Sequence, residues 1–291
     1  MSKLIIIIIK LIGAIPVKIR KQLGSLMGTA AFFLLRNERK IAILQLEKIF
    51  THVEPKETAK KVFKSLGRNI LLSFNLKPLL RRSSKIITVS DPVLFDELKN
   101  SPQAVIALTA HSGNWDLLAA YTIQEDIPLV TIGRSIRNSI MQDVLKDLRA
   151  TQGITTLWRD SLKSSRKLIE LAKSGGTIAA LIDQDTKVKS IYSTFFSIPC
   201  KTPVGLIELG LKTDARFVTA FMFEKENGNY TLYINEIKSK DLQVIVDNYH
   251  QDLENVLRSY PEQWVWFHKR WRTQNGKSIS SKEYLDYLKN L

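Results

Sequence analysis

The chain has 291 residues, 44% of them hydrophobic, enough for one large domain or one domain with an appended segment. Lys and Arg number 43 against 28 Asp and Glu, and the resulting net charge of +15 points to an anionic partner: acidic lipid headgroups, nucleic acid or an acidic protein. A single cysteine, Cys200, excludes an internal disulfide framework and a thiolate metal cluster.

The amino terminus opens on an isoleucine-rich run at 4–9, broken by Lys10 and resumed to Val17. That apolar stretch is 14 residues long, short of the roughly 20 a membrane span needs. Lys18, Arg20 and Lys21 follow, then a second apolar stretch at 23–35, then Arg36, Arg39 and Lys40. Two short apolar pieces with basic collars predict a segment lying in or dipping into a membrane, with anionic lipid holding residues 3–40. No small-x-small cleavage site follows the run, so an uncleaved anchor is favoured over a signal peptide. A plain core hairpin is the other reading of 23–35. The division expected is a membrane-associating segment at 1–37 and a single α/β domain at 38–291.

Residues 38–82 carry helical periodicity, seen in Ile41, Leu44 and Ile49 and in Val62, Leu66 and Ile70. From about 86 the pattern alternates. Strands are predicted at 86–89, 105–110, 129–132, 154–157, 177–182, 216–223 and 230–237. Helices are predicted at 92–99, 115–124, 139–152, 161–174, 203–213 and 241–259. Asn227-Gly228-Asn229 marks a hairpin between the last two strands. The fold class is α/β: a central mixed sheet sandwiched by helices. In such sheets the site lies at the carboxyl ends of the strands.

One such end carries His111-Ser-Gly-Asn-Trp-Asp116. In a continuous helix residues five apart point about 140° away from each other. In an extended strand they stand some 16 Å apart. Only a turn brings the Asp116 carboxylate to the His111 imidazole, and Ser112-Gly113-Asn114 supplies turn formers. A carboxylate on one ring nitrogen fixes the tautomer and leaves the other free as a general base. No Ser or Cys nucleophile elbow accompanies it, so direct transfer fits better than an acyl-enzyme. A satisfied structural His is the bland alternative.

Three further constellations carry chemistry. Gly133-Arg134-Ser-Ile-Arg137-Asn138, with Arg149 beyond, sets arginines at a strand end, suited to phosphate or carboxylate or else simply solvated. Asp183-Gln184-Asp185 could bind a metal or a sugar hydroxyl, or brace the site; three in a row cannot all point one way, so a full metal site is not expected. Pro261 to Arg272 interleaves Trp264, Trp266 and Trp271 with basic residues and reads as an interfacial belt, a nucleic-acid patch or a helix packed on the core.

In order along the chain, these pieces resemble the late acyltransferases of lipid A biosynthesis, within the wider lysophospholipid acyltransferase group. The matching pieces are the apolar amino terminus; Ala110-His111-Ser-Gly-Asn-Trp-Asp116; Gly133-Arg134 with Asn138; Arg149 with Gly153; Asp183-Gln184-Asp185; Phe195-Phe196 with Pro199 and Thr202; and Pro261-Glu262-Gln263 with Trp266, His268, Arg270 and Thr273. Departures are Ser197 where the family usually has Gly, Ser139 where it commonly has Pro, and Trp264 where it has Tyr. The resemblance implies His111 as general base oriented by Asp116, and Arg149, or alternatively Arg134, at the oxyanion. Asn114, Arg134, Asn138, Asp183, Gln184, Asp185, Phe195 and Phe196 would bind substrate, the two Phe lining an acyl pocket. His268 would belong to a packed signature helix. No cofactor or metal is implied. The donor would be an acyl chain on acyl carrier protein and the acceptor a phosphorylated glycolipid, at the bacterial inner membrane with the catalytic domain facing the cytoplasm. A related branch acylates phosphatidylinositol mannosides. A membrane-anchored nucleic-acid-binding module would explain the charge but would not need His111 at a strand-end turn.

Overall fold

The structure is a computed structural model that describes residues 2–136, 138–159, 162–274 and 276–291. Four helices come first: α1 (Ser2–Ala14), α2 (Val17–Leu34), α3 (Arg36–Ile49) and α4 (Pro55–Ser73). Helix α4 starts where the Glu54 side chain accepts the Lys56 N–H and Pro55 fills the first turn, a position needing no N–H. Two single turns, α5 (Lys77–Leu80) and α6 (Ser83–Ile86), lead into the sheet.

The second helix is part of the packed body. Gly24 and Gly28 face Gly67 and Phe63 of α4 so closely that a Cβ on Gly28 would fall 2.1 Å from the Phe63 carbonyl oxygen. Small residues four apart let two helix backbones touch. Arg20 is fully buried between the helices and donates to the carbonyls of Ile15, Leu71 and Leu72. Lys21 pairs with Glu224 at 2.6 Å. Two members of the expected lipid-facing collar, Arg20 and Lys21, are thus spent on internal partners. Leu4, Leu11, Leu26, Phe33 and Leu34 nevertheless stay exposed on α1 and α2. Among the described residues, no helix is long and apolar enough to cross a membrane.

The alternating region follows as β1 (Ile87–Val89), α7 (Pro92–Lys99), β2 (Val105–Thr109), α8 (Trp115–Gln124), β3 (Leu129–Gly133), α9 (Ser139–Ala150), β4 (Thr155–Trp158), α10 (Leu162–Lys173) and β5 (Thr177–Leu181). An unexpected hairpin, β6 (Ser190–Phe195) and β7 (Ile198–Pro203), precedes α11 (Gly205–Lys212), β8 (Arg216–Glu224), β9 (Tyr230–Ile237) and α12 (Leu242–Ser259). Seven strands form one mixed sheet in the order β1-β9-β8-β2-β5-β3-β4. The block β8-β2-β5-β3-β4 is parallel, and β9 runs antiparallel to β8. Alternation splits the burial: Ile106 and Leu108 join a core with Ile207 of α11 and Leu253 of α12, while Val105 and Ala107 join Leu94 and Leu98 of α7.

The end of the chain departs from expectation. Residues 261–272 form a single 3-10 turn (Pro261–Gln263) and irregular turns rather than a packed helix, followed by the short pair β10 (Thr273–Gln274) and β11 (Lys277–Ser278), and by α13 (Ser281–Lys289). The tryptophans explain it. Trp264, Trp266 and Trp271 are all buried, and no single helix face could bury residues two, five and seven apart together.

Candidate functional site

The parallel strands β2 and β5 are neighbours, with Thr109 paired to Leu181. His111 and Asp183 each lie two residues past that pair, so the register alone sets them side by side at the carboxyl edge. The turn that carries His111 is clamped. Gly113 has φ +51°, and a Cβ there would sit 1.9 Å from the Met222 carbonyl oxygen. Its N–H donates to the Gln263 carbonyl at 2.6 Å, and its own carbonyl accepts from Asn69 of α4 at 2.7 Å. The Asn114 N–H donates to the Met222 carbonyl at 2.8 Å.

Asp183 is the carboxylate that meets the imidazole. Its Oδ1 lies 2.8 Å from His111 Nδ1, and its Oδ2 accepts the His111 backbone N–H at 2.9 Å and the Trp264 indole N–H at 2.8 Å. Burial pushes the Asp183 pKa up, but His111 by charge and hydrogen bond, His268 by charge and Trp264 by its N–H outweigh this and hold the carboxyl well below the usual range. An ionised carboxylate on Nδ1 fixes the proton there and leaves Nε2 of His111 as the acceptor. The Gln184 amide nitrogen sits between the two rings, 3.2 and 3.3 Å from Nδ1 and Nε2 of His111 and 2.9 and 3.2 Å from Nδ1 and Nε2 of His268. His268 stacks edge-on to His111 with ring centroids 5.2 Å apart. Burial, then the charge of His111, lowers its pKa to about 4, so it is neutral at physiological pH. Sequence reasoning had set His268 aside; the tertiary turn brings it to the base.

The expected pairing of His111 with Asp116 is therefore corrected. The first turn of α8 carries Asp116 to Arg149 of α9, 3.4 Å away, and the parallel register supplies Asp183 in its place. Arg149 also donates to the Thr156 hydroxyl at 3.3 Å.

His111 heads a cleft of ≈ 530 Å³. Gln184, Arg134, Arg149, Arg159 and Lys189 give it a polar, cationic part, and Leu145, Trp158, Leu168, Leu206 and Leu209 an apolar one. Arg159, Trp158 and Lys189 escaped the sequence reading; the signal for Arg159 was its place just past the end of β4.

Several expected binding residues have structural work instead. Asn114 caps α8 through the Leu117 N–H, and Asn138 caps α9 through the Met141 N–H. Asp185 is buried and accepts the Thr273 N–H at 2.9 Å, tying down the end of the chain. Phe195 and Phe196 do not line the cleft. They form the β6–β7 turn, buried against Trp264, Trp266, Trp271 and Phe50. Arg137 lies outside the described residues. His111, Asp183 and His268 bring ligand atoms within 4.8 Å of one another, the one such group among the described residues that could hold a metal ion. Three N–H donors already engage the Asp183 oxygens, and the arrangement reads first as a hydrogen-bonded relay.

A His–Asp pair thus lies at the carboxyl edge of an α/β sheet, at the head of a cleft with apolar and cationic walls. The sequence model of the bacterial lipid A biosynthesis acyltransferases matches residues 1–273, and the chain belongs to that family. The chain is 23% identical over 215 residues to a phosphatidylinositol mannoside acyltransferase of Mycobacterium tuberculosis, covering 72% of this chain and 66% of that protein. It is 22% identical over 182 residues to that of Mycolicibacterium smegmatis, covering 61% and 60%. The matched part thus spans a little under two thirds of these relatives. The pilus retraction motor PilT with bound ADP is a remote structural neighbour, with a TM-score of 0.30 and 13% identity over 72% of this chain and 68% of that one, and carries no argument.

Proposed function

We propose that the protein moves a fatty acyl chain from a carrier thioester to a hydroxyl of a membrane glycolipid, with His111 as general base and Asp183 as its orienting carboxylate. The observation that carries this reading is the 2.8 Å His111–Asp183 contact at the head of the 530 Å³ cleft. The acceptor hydroxyl gives its proton to His111 Nε2. The oxygen attacks the thioester carbonyl, the tetrahedral oxyanion collapses, and the thiolate leaves, taking the proton back from the imidazolium. Arg149 and Arg134 supply positive charge for the oxyanion or for phosphate. The acyl chain lies against Leu145, Leu168, Leu206 and Leu209.

The donor is acyl carrier protein, whose acidity suits a net charge of +15. The exposed apolar faces of α1 and α2 rest on the cytoplasmic leaflet of the inner membrane. The family favours a lipid A precursor as acceptor, and the mycobacterial relatives favour a phosphatidylinositol mannoside; both carry phosphate and saccharide hydroxyls. The test is acyl transfer from labelled acyl carrier protein to each acceptor in detergent, with His111→Ala and Asp183→Asn beside the native chain. Labelled glycolipid that vanishes in both variants upholds the reading and names the acceptor. Label released only as free fatty acid means a thioesterase, and no turnover with either acceptor ends the proposal.

A further inference from the structure

The chain has 13 glycines, and almost every one has a visible reason to be glycine. Gly113, Gly153, Gly175, Gly228 and Gly276 have positive φ, which side chains resist. At Gly24, Gly28, Gly67, Gly133, Gly176 and Gly210 a Cβ would strike a neighbour at 2.9 Å or less, and at Gly13 one would press on the Phe74 carbonyl at 3.1 Å. Gly205 stands apart. Its φ is ordinary and a Cβ there meets no atom within 4 Å. It occupies the first position of α11, where most residues serve as well as or better than glycine. Nothing in the fold calls for a missing side chain.

The cleft does. Gly205 lines it, between Pro203 at the end of β7 and Leu206 and Leu209 on the same helix, across from Leu145 and Leu168. Gly205 is exposed on the cleft wall, and a Cβ there would enter open space. We infer that Gly205 sets the length of the acyl chain this enzyme accepts. The bare position leaves room for methylenes that even a modest side chain would exclude. The inference rests on the acyltransferase reading given above, with the acyl chain in this cleft. Lys189, beside Gly205, is paired with Glu208 of α11 at 2.5 Å, and the other cleft-lining residues of this stretch, Pro203, Leu206 and Leu209, are apolar, so the apolar part of the substrate is the part that passes it.

The test uses the full chain in detergent, native and as Gly205→Ala and Gly205→Leu, with decanoyl, dodecanoyl, tetradecanoyl and hexadecanoyl donors and one acceptor. Crowding in an apolar pocket is worth about 10–200-fold for each methylene denied its place. The expected result is a shift toward short chains. The ratio of kcat/KM on the longest productive donor to that on the shortest falls at least about tenfold in Gly205→Leu and by less in Gly205→Ala, with short-donor activity and thermal midpoint retained. Direct binding gives a second readout: displacement of a fluorescent fatty acid by hexadecanoate weakens in Gly205→Leu, whereas displacement by decanoate does not. An unchanged chain-length profile, or equal loss on every donor in a variant that still melts like the native chain, overturns the inference while leaving the acyltransferase reading intact. A native chain that transfers no acyl group from any donor overturns both.

Discussion

Asp183, not the acid five residues past His111 in sequence, holds the His111 imidazole: Oδ1 to Nδ1 is 2.8 Å, while Asp116 faces Arg149 at 3.4 Å. The two carboxylates of the site therefore have different jobs, and substitution separates them. Asp183→Asn keeps the shape but removes the charge that fixes the tautomer, and is expected to lower kcat by roughly 10³–10⁴-fold, as carboxylate-to-amide exchange does in Ser-His-Asp triads. Asp116→Asn acts only through Arg149. Its smaller loss should disappear in an Arg149→Ala background, because residues that share one interaction are not additive. A double-mutant cycle on kcat/KM checks this. Additive losses would place Asp116 on the base after all.

Stability should fall on acidification in a window set by the buried histidines. His268 titrates at about 4 when folded against 6.5 when free, and burial lowers His250 well below 6.5 as well. A base with a depressed folded pKa binds fewer protons folded than unfolded between the two values. Unfolding free energy then rises with pH through that window, by up to about 1.4 kcal/mol per pH unit for each such group, and levels off above pH 6.5. Asp183 does not contribute there. Its folded pKa lies below its ordinary 3.8, so its stabilisation is complete above that value and is lost only as pH falls further. Chemical denaturation from pH 4 to 7 should give a shallower slope for His268→Asn than for the native chain. An equal slope would mean that His268 is already protonated in the fold.

Most of the strands of the main sheet and the helices between them were legible because they bury an apolar face with its own period. Val105 to Ala110 and Thr177 to Ile182 announce themselves without partners. What was not legible is everything set by neighbours distant in sequence. Asp183 reaches His111 across 72 residues because β5, not the strand next in sequence, lies beside β2. Periodicity cannot report strand order, so the nearer carboxylate was preferred. His268 was dismissed for the same reason: its segment has no period at all, and its course is dictated by three buried tryptophans. The β6–β7 hairpin hid because its turn lacks the usual signature. Phe196 and Ser197 both have positive φ, at 51° and 62°, with no glycine or asparagine to mark it.

That turn offers a stability test. A non-glycine residue in the left-handed region costs about 1–2 kcal/mol, and glycine gives back about 0.5–1 kcal/mol in unfolded-chain entropy. Ser197→Gly should therefore stabilise by about 0.5–1 kcal/mol, and Ser197→Val should destabilise, since β-branched side chains resist positive φ most. Thermal melts of the three chains decide it. Phe196 must stay, because its ring packs on Phe50 and Trp266.

The amino-terminal helices can be tested as part of the body. The α2–α4 contact depends on Gly28, whose missing Cβ lets the Phe63 carbonyl approach to 2.1 Å of where it would be. Gly28→Leu forces the backbones apart by more than a side chain can yield, and overpacking of this kind costs about 1–3 kcal/mol or more. The same displacement frees Arg20 from the carbonyls of Ile15, Leu71 and Leu72 and breaks the Lys21–Glu224 pair, leaving a buried guanidinium without partners. The expected outcome is early cleavage after Lys18, Arg20 or Lys21 in limited trypsin digestion, together with a lower thermal midpoint. In the native chain α2 should be cut only on global unfolding. If the native chain loses its first 20 or so residues to trypsin while the rest melts unchanged, α2 is a detachable anchor and its packing on α4 contributes nothing to the fold.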